Sequence, residues 1–178
     1  MVFNMMLGSK EILRLIKEEK MVKGYINLNR QLQPNGFDLT LNRVFRLGMH
    51  GILRQNRNFI PNKTQIFTVG STGNFYLKSS AYLIMFNEEI MLPKNISAIT
   101  IQRSSLMRML VHTQVGSWDV GYHGKGFSML IVNNSEGVVL EKNVRIVQMH
   151  FFKTTEVLKK YDGSYQKENL TIHGRKEL

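Results

Sequence analysis

The chain of 178 residues contains no cysteine. Thiol catalysis, disulfide bonds and zinc sites built on thiolates are therefore excluded, and any metal must be held by oxygen or imidazole ligands. Long apolar runs are also missing, because no stretch reaches the roughly 18 residues that a transmembrane helix needs. The apolar start of the chain lacks the basic segment and the small-residue cleavage site of a signal peptide. We therefore expect a soluble, cytoplasmic protein that makes no contact with membranes.

Acidic residues are few. The chain has 13 Asp and Glu against 24 Lys and Arg, which gives a formal net charge of +11. Such a charge favours either contact with nucleic acid or attraction of a small polyanion such as a nucleoside triphosphate. The basic residues are dispersed, apart from small clusters such as Lys159-Lys160, and no long run alternates them with stacking aromatics. A solvated basic surface is the simplest explanation, and we expect no nucleic-acid partner.

The length of the chain and its hydrophobic content of 43% suit one globular domain over residues 1–178. A short amphipathic helix is predicted over about residues 9–19, because Ile12, Leu13, Leu15 and Ile16 recur at helical spacing and Ser9 is a suitable N-cap. After Lys153 the sequence becomes polar, which predicts a short helical turn followed by an extended tail, over about residues 154–178.

Between these ends, short segments alternate apolar and polar residues. Period-two alternation, β-branched and aromatic content, and punctuation by Gly, Asn and Pro predict strands, for example in FDLTLNRVFRL, SAITIQ and VRIVQMHFF. Many short strands without intervening helices favour a sandwich, jelly roll or barrel. The GSTGN run at 70–74 lacks the Gly-Lys-Ser/Thr of a phosphate-binding loop and is predicted to be a turn.

One candidate for phosphate binding is IQRSSLMR at 101–108. The adjacent hydroxyls of Ser104 and Ser105, together with Arg103 and Arg108, suit the several acceptor oxygens of a phosphate, above all if a helix starts there. On spacing alone, an ordinary serine N-cap with solvated arginines is the favoured alternative.

Two further segments carry acid–base or phosphate-binding groups. In GSWDVGYHGKG at 116–126, Asp119 could orient and deprotonate a water and Tyr122 could stack on a sugar face, or the aspartate could simply shape a turn. In KNVRIVQ at 142–148, the odd spacing of Arg145 and Gln148 predicts opposite faces of an unbroken strand, so that only one of them could point into a given site.

Taken in order, these segments resemble the motifs of the superfamily of dUTP diphosphatases and dCTP deaminases. The first motif is matched by NGFDLTL at 35–41, the second by the Arg-Ser-Ser-Leu-x-Arg run, the third by GSWDVGYHGKG and the fourth by KNVRIVQMHF, over residues 33–153. The resemblance implies an all-β, distorted barrel or jelly roll with a short N-terminal helix. It also implies a homotrimer with nucleotide sites at the subunit interfaces.

The branch within the superfamily follows from two local features. YDGSYQK at 161–167 resembles the C-terminal Tyr-Gln element of dCTP deaminases and of archaeal-type dUTP diphosphatases related to them. Family deaminases carry a proton-transferring glutamate about ten residues beyond the third-motif aspartate, but here that position falls on Met129, or on Leu130 with one inserted residue. Neither side chain transfers a proton. The resemblance therefore implies hydrolysis of dUTP to dUMP and pyrophosphate.

The resemblance also implies roles for individual residues. Asp119 would activate the attacking water, while backbone groups from Gly121 to Phe127 would read the uracil. Mg²⁺ would be bound through phosphate oxygens and water, with no direct protein ligand. The phosphates would be held by Ser104, Ser105, Arg108 and Gln148. The nucleoside would be contacted by Gly121, Tyr122, Tyr165 and Gln166. Asp38 either lies near the site or anchors the first-motif strand.

Two other functions remain open. A dCTP deaminase, or a bifunctional enzyme that makes dUMP from dCTP, is disfavoured by the missing glutamate. A non-catalytic member that binds nucleotide or nucleic acid would account for the high charge, but it would leave Asp119, the serine pair and Arg108 without a purpose.

Overall fold

Most of the ordered secondary structure is β-strand. The computed structural model describes residues 6–48, 50–55, 60–71 and 73–170. In these ranges the helices are α1 (Ser9–Glu19), α2 (Leu28–Gln31) and α3 (Ser104–Arg108). The strands are β1 (Val22–Lys23), β2 (Leu32–Gln33), β3 (Gly36–Leu47), β4 (Lys63–Ile66), β5 (Asn74–Leu77), β6 (Ser80–Phe86), β7 (Glu89–Met91), β8 (Ile96–Gln102), β9 (Val111–Gln114), β10 (His123–Gly124), β11 (Phe127–Val132), β12 (Val138–Glu141) and β13 (Arg145–Lys153).

The largest sheet is antiparallel and has the order β8-β13-β3-β6-β11-β9, with β2 and β4 also paired to β3. Its two outer strands come together, because the Thr113 backbone N–H on β9 donates to Gln102 Oε1 on β8 at 3.0 Å. The sheet is thus nearly closed, which removes most of its free edges. The predicted all-β, barrel-like fold is confirmed. Two smaller sheets, β1-β7-β10 and β12-β5, flank it.

Strand β3 illustrates how alternation builds the core. Phe37, Leu39 and Leu41 point to one face and are fully buried. Burial of each such side chain contributes about 2 kcal/mol. The alternate residues Asp38 and Thr40 point to the opposite face, where polar partners cover them.

The predicted N-terminal helix is present as α1, and Ile12, Leu15 and Ile16 are its buried residues. Its predicted cap is wrong, because Gly8 is the N-cap and Ser9 is the first helical residue. None of the helices in the described ranges has the length and apolar character needed to cross a membrane. The predicted turn within 70–74 is confirmed for its described residues, because Val69 pairs with Asn74 and the Gly73 N–H donates to Gly70 O at 3.1 Å.

The segment after β13 differs from the prediction. Residues 154–170 form bends and hydrogen-bonded turns, the latter over 164–169, and no helix and no extended strand occur among them. The reason is that their polar groups bond to a distant part of the chain: the Tyr161 N–H donates to Val120 O at 2.8 Å, and the Lys167 N–H donates to His123 O at 2.7 Å. The rest of the predicted tail, 171–178, lies outside the described residues.

Candidate active site

The serine pair opens α3 on the protein surface. Arg103 is the N-cap and no side chain caps the helix, so the interpretation of an ordinary serine N-cap is wrong. The hydroxyls of Ser104 and Ser105 are exposed and have no hydrogen-bond partner among the described residues. Exposed Arg108 lies beside them, and its Nη1 donates to Ser104 O at 3.3 Å. Two hydroxyls and a guanidinium are thus presented together to solvent.

Asp38 holds two arginines next to α3. Its Oδ2 lies 3.0 Å from Arg145 Nη1 and 3.4 Å from Arg103 Nε, while the Asp38 side chain is nearly fully buried. Burial raises the pKa of Asp38 above its usual value, and the two guanidinium groups oppose that shift. These contacts are those of a residue that anchors the first-motif strand.

Arg145 and Gln148 lie on the same face of β13, so the predicted opposite orientation is wrong. Arg145 pairs with Thr40, but the register then shifts by one residue and Gln148 pairs with Asp38. The cause is a β-bulge, which inserts one extra residue and leaves Ile146 and Val147 both buried. Gln148 also lies opposite Ile101 on β8, which puts it on the order of 10 Å from the start of α3.

Gly36 makes room for Gln148. A Cβ at this position would lie 2.6 Å from Met149 O and 2.9 Å from Gln148 Cγ. The glycine of the first motif therefore has a steric function, because any side chain here would displace the fourth-motif strand.

Asp119 stands at a turn on another part of the barrel. Trp118 pairs with Ala98 of β8 through two backbone hydrogen bonds of 2.9 Å, and the Tyr122 N–H donates to Asp119 O at 3.0 Å. Gly121 adopts a φ of 78°, which suits glycine in this turn. The Asp119 side chain is exposed. Ser104 is six residues beyond Ala98, so Asp119 and Ser104 lie about 15 to 20 Å apart within one chain.

A cavity of about 1050 Å³ opens beside Asp119. Three predicted residues line it, namely Asp119, Tyr122 and Tyr165. The described residues that line it include neither the predicted nucleoside-binding residues Gly121 and Gln166 nor the predicted phosphate-binding residues Ser104, Ser105, Arg108 and Gln148. Within one chain, the predicted site is therefore divided into a nucleoside group and a phosphate group.

Tyr122 forms the buried wall of this cavity. Its ring packs edge-on against Trp118, with 5.0 Å between the ring centroids, and its hydroxyl donates to Glu168 Oε1 at 2.9 Å. Burial and the neighbouring Glu168 raise the pKa of Tyr122. Burial likewise raises the pKa of Glu168, against the opposing effects of the Tyr122 hydrogen bond and of Lys63.

Sequence reasoning missed Glu168. No local signal marked it, because it lies in a polar tail 46 residues from its partner Tyr122. Among the described residues that line the cavity, Asp119 and Glu168 are the carboxylates. Leu130, at the position of the deaminase glutamate, is fully buried in β11.

Gln166 ties the C-terminal segment to the 121–127 segment, whose backbone was predicted to read the uracil. Its Oε1 accepts from the His123 N–H at 2.8 Å, and its Nε2 donates to Gly121 O at 2.9 Å and to Tyr161 O at 3.2 Å. The Lys125 N–H is also engaged, by Glu168 O at 3.0 Å. Several backbone groups of the 121–127 segment are thus bonded to the tail.

Comparisons with known proteins agree with the predicted family and fold. A family model described as dCTP deaminase-like matches residues 6–154. The probable deoxyuridine 5'-triphosphate nucleotidohydrolase of Methanosarcina barkeri is 37% identical over 169 residues, which cover 92% of this chain and 98% of the relative. The protein of the same name from Archaeoglobus fulgidus is 34% identical over 166 residues, with 92% and 97% covered.

A solved structure is also similar. The crystal structure of 2'-deoxycytidine 5'-triphosphate deaminase from Agrobacterium tumefaciens matches with a TM-score of 0.65 at 19% identity. The match covers 85% of this chain and 49% of that chain, so this chain spans about half the length of that protein. At this identity the likeness concerns the fold.

Proposed function

Because the chain belongs to the dCTP deaminase-like family, we propose that it is a dUTP diphosphatase, which hydrolyses dUTP to dUMP and pyrophosphate. The observation that carries the proposal is the exposed Asp119 carboxylate at a cavity of about 1050 Å³, which is large enough for a nucleotide. The names of the curated relatives support the same activity. The apolar Met129 and Leu130 on β11 argue against deamination.

Asp119 would activate the attacking water. An exposed carboxylate can accept a hydrogen bond from water, orient it and take its proton as the water oxygen attacks phosphorus. Attack at the α-phosphorus forms a new P–O bond and breaks the bond to the bridging oxygen, which leaves with pyrophosphate. The Tyr122 ring, which lines the same cavity, would stack on the deoxyribose.

The phosphates would be held by the second group of residues, Ser104, Ser105, Arg108 and Gln148. Hydroxyl, guanidinium and amide groups all donate hydrogen bonds to phosphate oxygens. In one chain about 15 to 20 Å separate Ser104 from Asp119, so the phosphate-binding residues of a protomer cannot meet its own Asp119. We infer that the protein assembles into a homotrimer, in which α3 of one protomer faces the Asp119 cavity of the next. The exposed Ile99 and Ile101 on β8, beside Gln148, suit such an interface.

Magnesium fits the donor groups that are present. The described residues contain no cluster of three or more His, Asp or Glu that could cage a metal ion. Hard Mg²⁺ prefers oxygen ligands and retains water, so substrate phosphates and waters would supply most of its ligands near Asp119. When bound, it would neutralise charge on the phosphates.

The tail would close the nucleoside end of the site. Tyr165 lines the cavity, and Gln166 holds the tail in place through its bonds to the 121–127 segment. If the backbone of Gly121–Phe127 reads the uracil, its N–H and C=O groups must be accessible to the base. The tail would therefore release its bonds at His123 and Lys125 when the base enters.

The proposal is tested by incubating the protein with dUTP, and separately with dCTP, in the presence of Mg²⁺. We expect pyrophosphate from dUTP, with turnover at least about 100-fold lower in Asp119→Asn because a general base is lost. Exposed Asp162 lies outside the cavity lining, so Asp162→Asn is the matched control and should retain activity. Uracil nucleotide formed from dCTP would instead indicate deamination, with another group in place of the missing glutamate. Turnover of neither nucleotide would favour a binding protein.

A further inference from the structure

A second, smaller cavity of about 330 Å³ lies away from the proposed active site. It forms where the register shift of β3 meets the end of β4 and the turn after β12. Its lining residues include Asn42, Arg43, Gln65, Phe67, Thr68 and Lys142. None of these described residues lines the larger cavity, and the volume is at the lower end for small-molecule sites.

The polar side chains of this cavity can bind a ligand. Among the described residues, the side chains of Asn42, Gln65 and Thr68 have no hydrogen-bond partner and Lys142 has no ion-pair partner. Its backbone is held in place, because the Lys142 N–H donates to Gly73 O at 2.9 Å. Amide, hydroxyl and ammonium groups together provide several donors for the oxygens of one ligand.

The charge of the cavity selects an anion. Arg43 and Lys142 both line it, and no Asp or Glu is among its described lining residues. Lys142 has no ion-pair partner among the described residues, so its charge is available to a phosphate monoester, which carries about −1.5 to −2 charge near neutral pH. The overall charge of +11 would attract such an anion over a longer range.

An aromatic ring stands beside these cations. The Phe67 side chain is 75% exposed, whereas Phe75 in the same cavity is 2% exposed. An exposed aromatic face next to basic groups is the arrangement on which nucleobases stack. The cavity therefore combines a platform for a flat ring with a subsite for a phosphate.

We propose that this cavity is a second nucleotide site, which binds a nucleoside monophosphate. Its phosphate contacts Arg43 and Lys142, and its base stacks on Phe67. The product of the proposed reaction, dUMP, belongs to this class of ligand. Binding at this site does not depend on turnover at Asp119, so the two proposals can fail independently.

The test follows the amide resonances of the protein by NMR during titration with dUMP. We expect dUMP to shift the resonances of Gln65 and Thr68, whether or not the Asp119 cavity is filled with a non-hydrolysable dUTP analogue. Deoxyuridine and inorganic phosphate, each with half of the ligand, should bind more weakly than dUMP.

Variants make the test specific. We expect Lys142→Gln to weaken dUMP binding at this site about tenfold, and Phe67→Ala about fivefold. Lys94→Gln removes the same charge from an exposed position outside this cavity and should leave the affinity unchanged. Shifts confined to residues around Asp119, or equal affinities of Lys142→Gln and Lys94→Gln, would overturn the proposal. Far-UV circular dichroism of each variant controls for folding.

Discussion

The Tyr122 hydroxyl donates a hydrogen bond to Glu168 Oε1 at 2.9 Å and thereby joins the wall of the larger cavity to the C-terminal segment. The same segment is held by Gln166, whose amide bonds to Gly121 O and to the His123 N–H. Side-chain and backbone contacts thus act together to hold the C-terminal segment against the 121–127 segment. The strength of the Tyr122–Glu168 contact can be measured directly.

A double-mutant cycle with Tyr122→Phe and Glu168→Ala should reveal a coupling free energy of about 1 kcal/mol, because each single variant removes the same partly buried hydrogen bond. Urea unfolding measures stability, and limited proteolysis measures release of the tail. Tyr76→Phe is the control, since its hydroxyl is on an exposed side chain of β5. Strictly additive effects of the two substitutions would show that the contact does not hold the tail.

Glu168 should also make stability depend on pH. Burial raises the pKa of this carboxyl above its ordinary value of 4.5, so the folded state binds the proton more tightly than the unfolded state. The resulting stabilisation is complete below the ordinary pKa and is lost as the pH rises through the raised one. Glu168→Gln removes this titration. The free energy of unfolding of Glu168→Gln, compared with that of the natural protein at the same pH, should therefore rise as the pH increases above 4.5. A difference that stays constant over this range would contradict the assignment.

Asp38→Asn should destabilise the fold by about 2 kcal/mol. The substitution leaves Arg103 and Arg145 beside a neutral group, and the cost is lower than for a fully buried pair because both arginine side chains are partly exposed. Glu11→Gln is the matched control, because its ion pair with Arg14 lies on the exposed face of α1. Chemical denaturation should detect the first change and not the second. Equal stabilities of the two variants would mean that Asp38 does not anchor the strand.

Mixing of inactive protomers tests the shared site. Asp119→Ala and Arg108→Ala should each be inactive alone, but co-expression in equal amounts should restore about a quarter of the natural activity, because half of the protomers have an intact α3 and half of their neighbours have an intact Asp119. Size-exclusion chromatography with light scattering would confirm the assembly. Activity that is not restored in mixed trimers would place the whole site within one chain.

Sequence patterns predicted the positions of the helix and the strands more accurately than they predicted which residues of different elements are in contact. The periodicity of Ile12, Leu13, Leu15 and Ile16 predicted α1, and alternation predicted the strands, because both patterns reflect which side of one element is buried; of the four helix residues, Leu13 alone is not buried. The orientation of Arg145 relative to Gln148 was predicted wrongly. A β-bulge depends on the register with a neighbouring strand, and no residue type within 142–148 predicts that a bulge occurs there.

By itself, the sequence determined the fold class and the identity of the residues in the four motifs, because periodicity and motif order are properties of local segments. Only the tertiary structure decided which of these residues meet. It separates Asp119 from Ser104 along β8 and brings Glu168 into contact with Tyr122. It also places the C-terminal segment against the 121–127 segment. Those relationships follow from strand register and from contacts between residues far apart in the chain, where burial and hydrogen bonding outweigh local propensity.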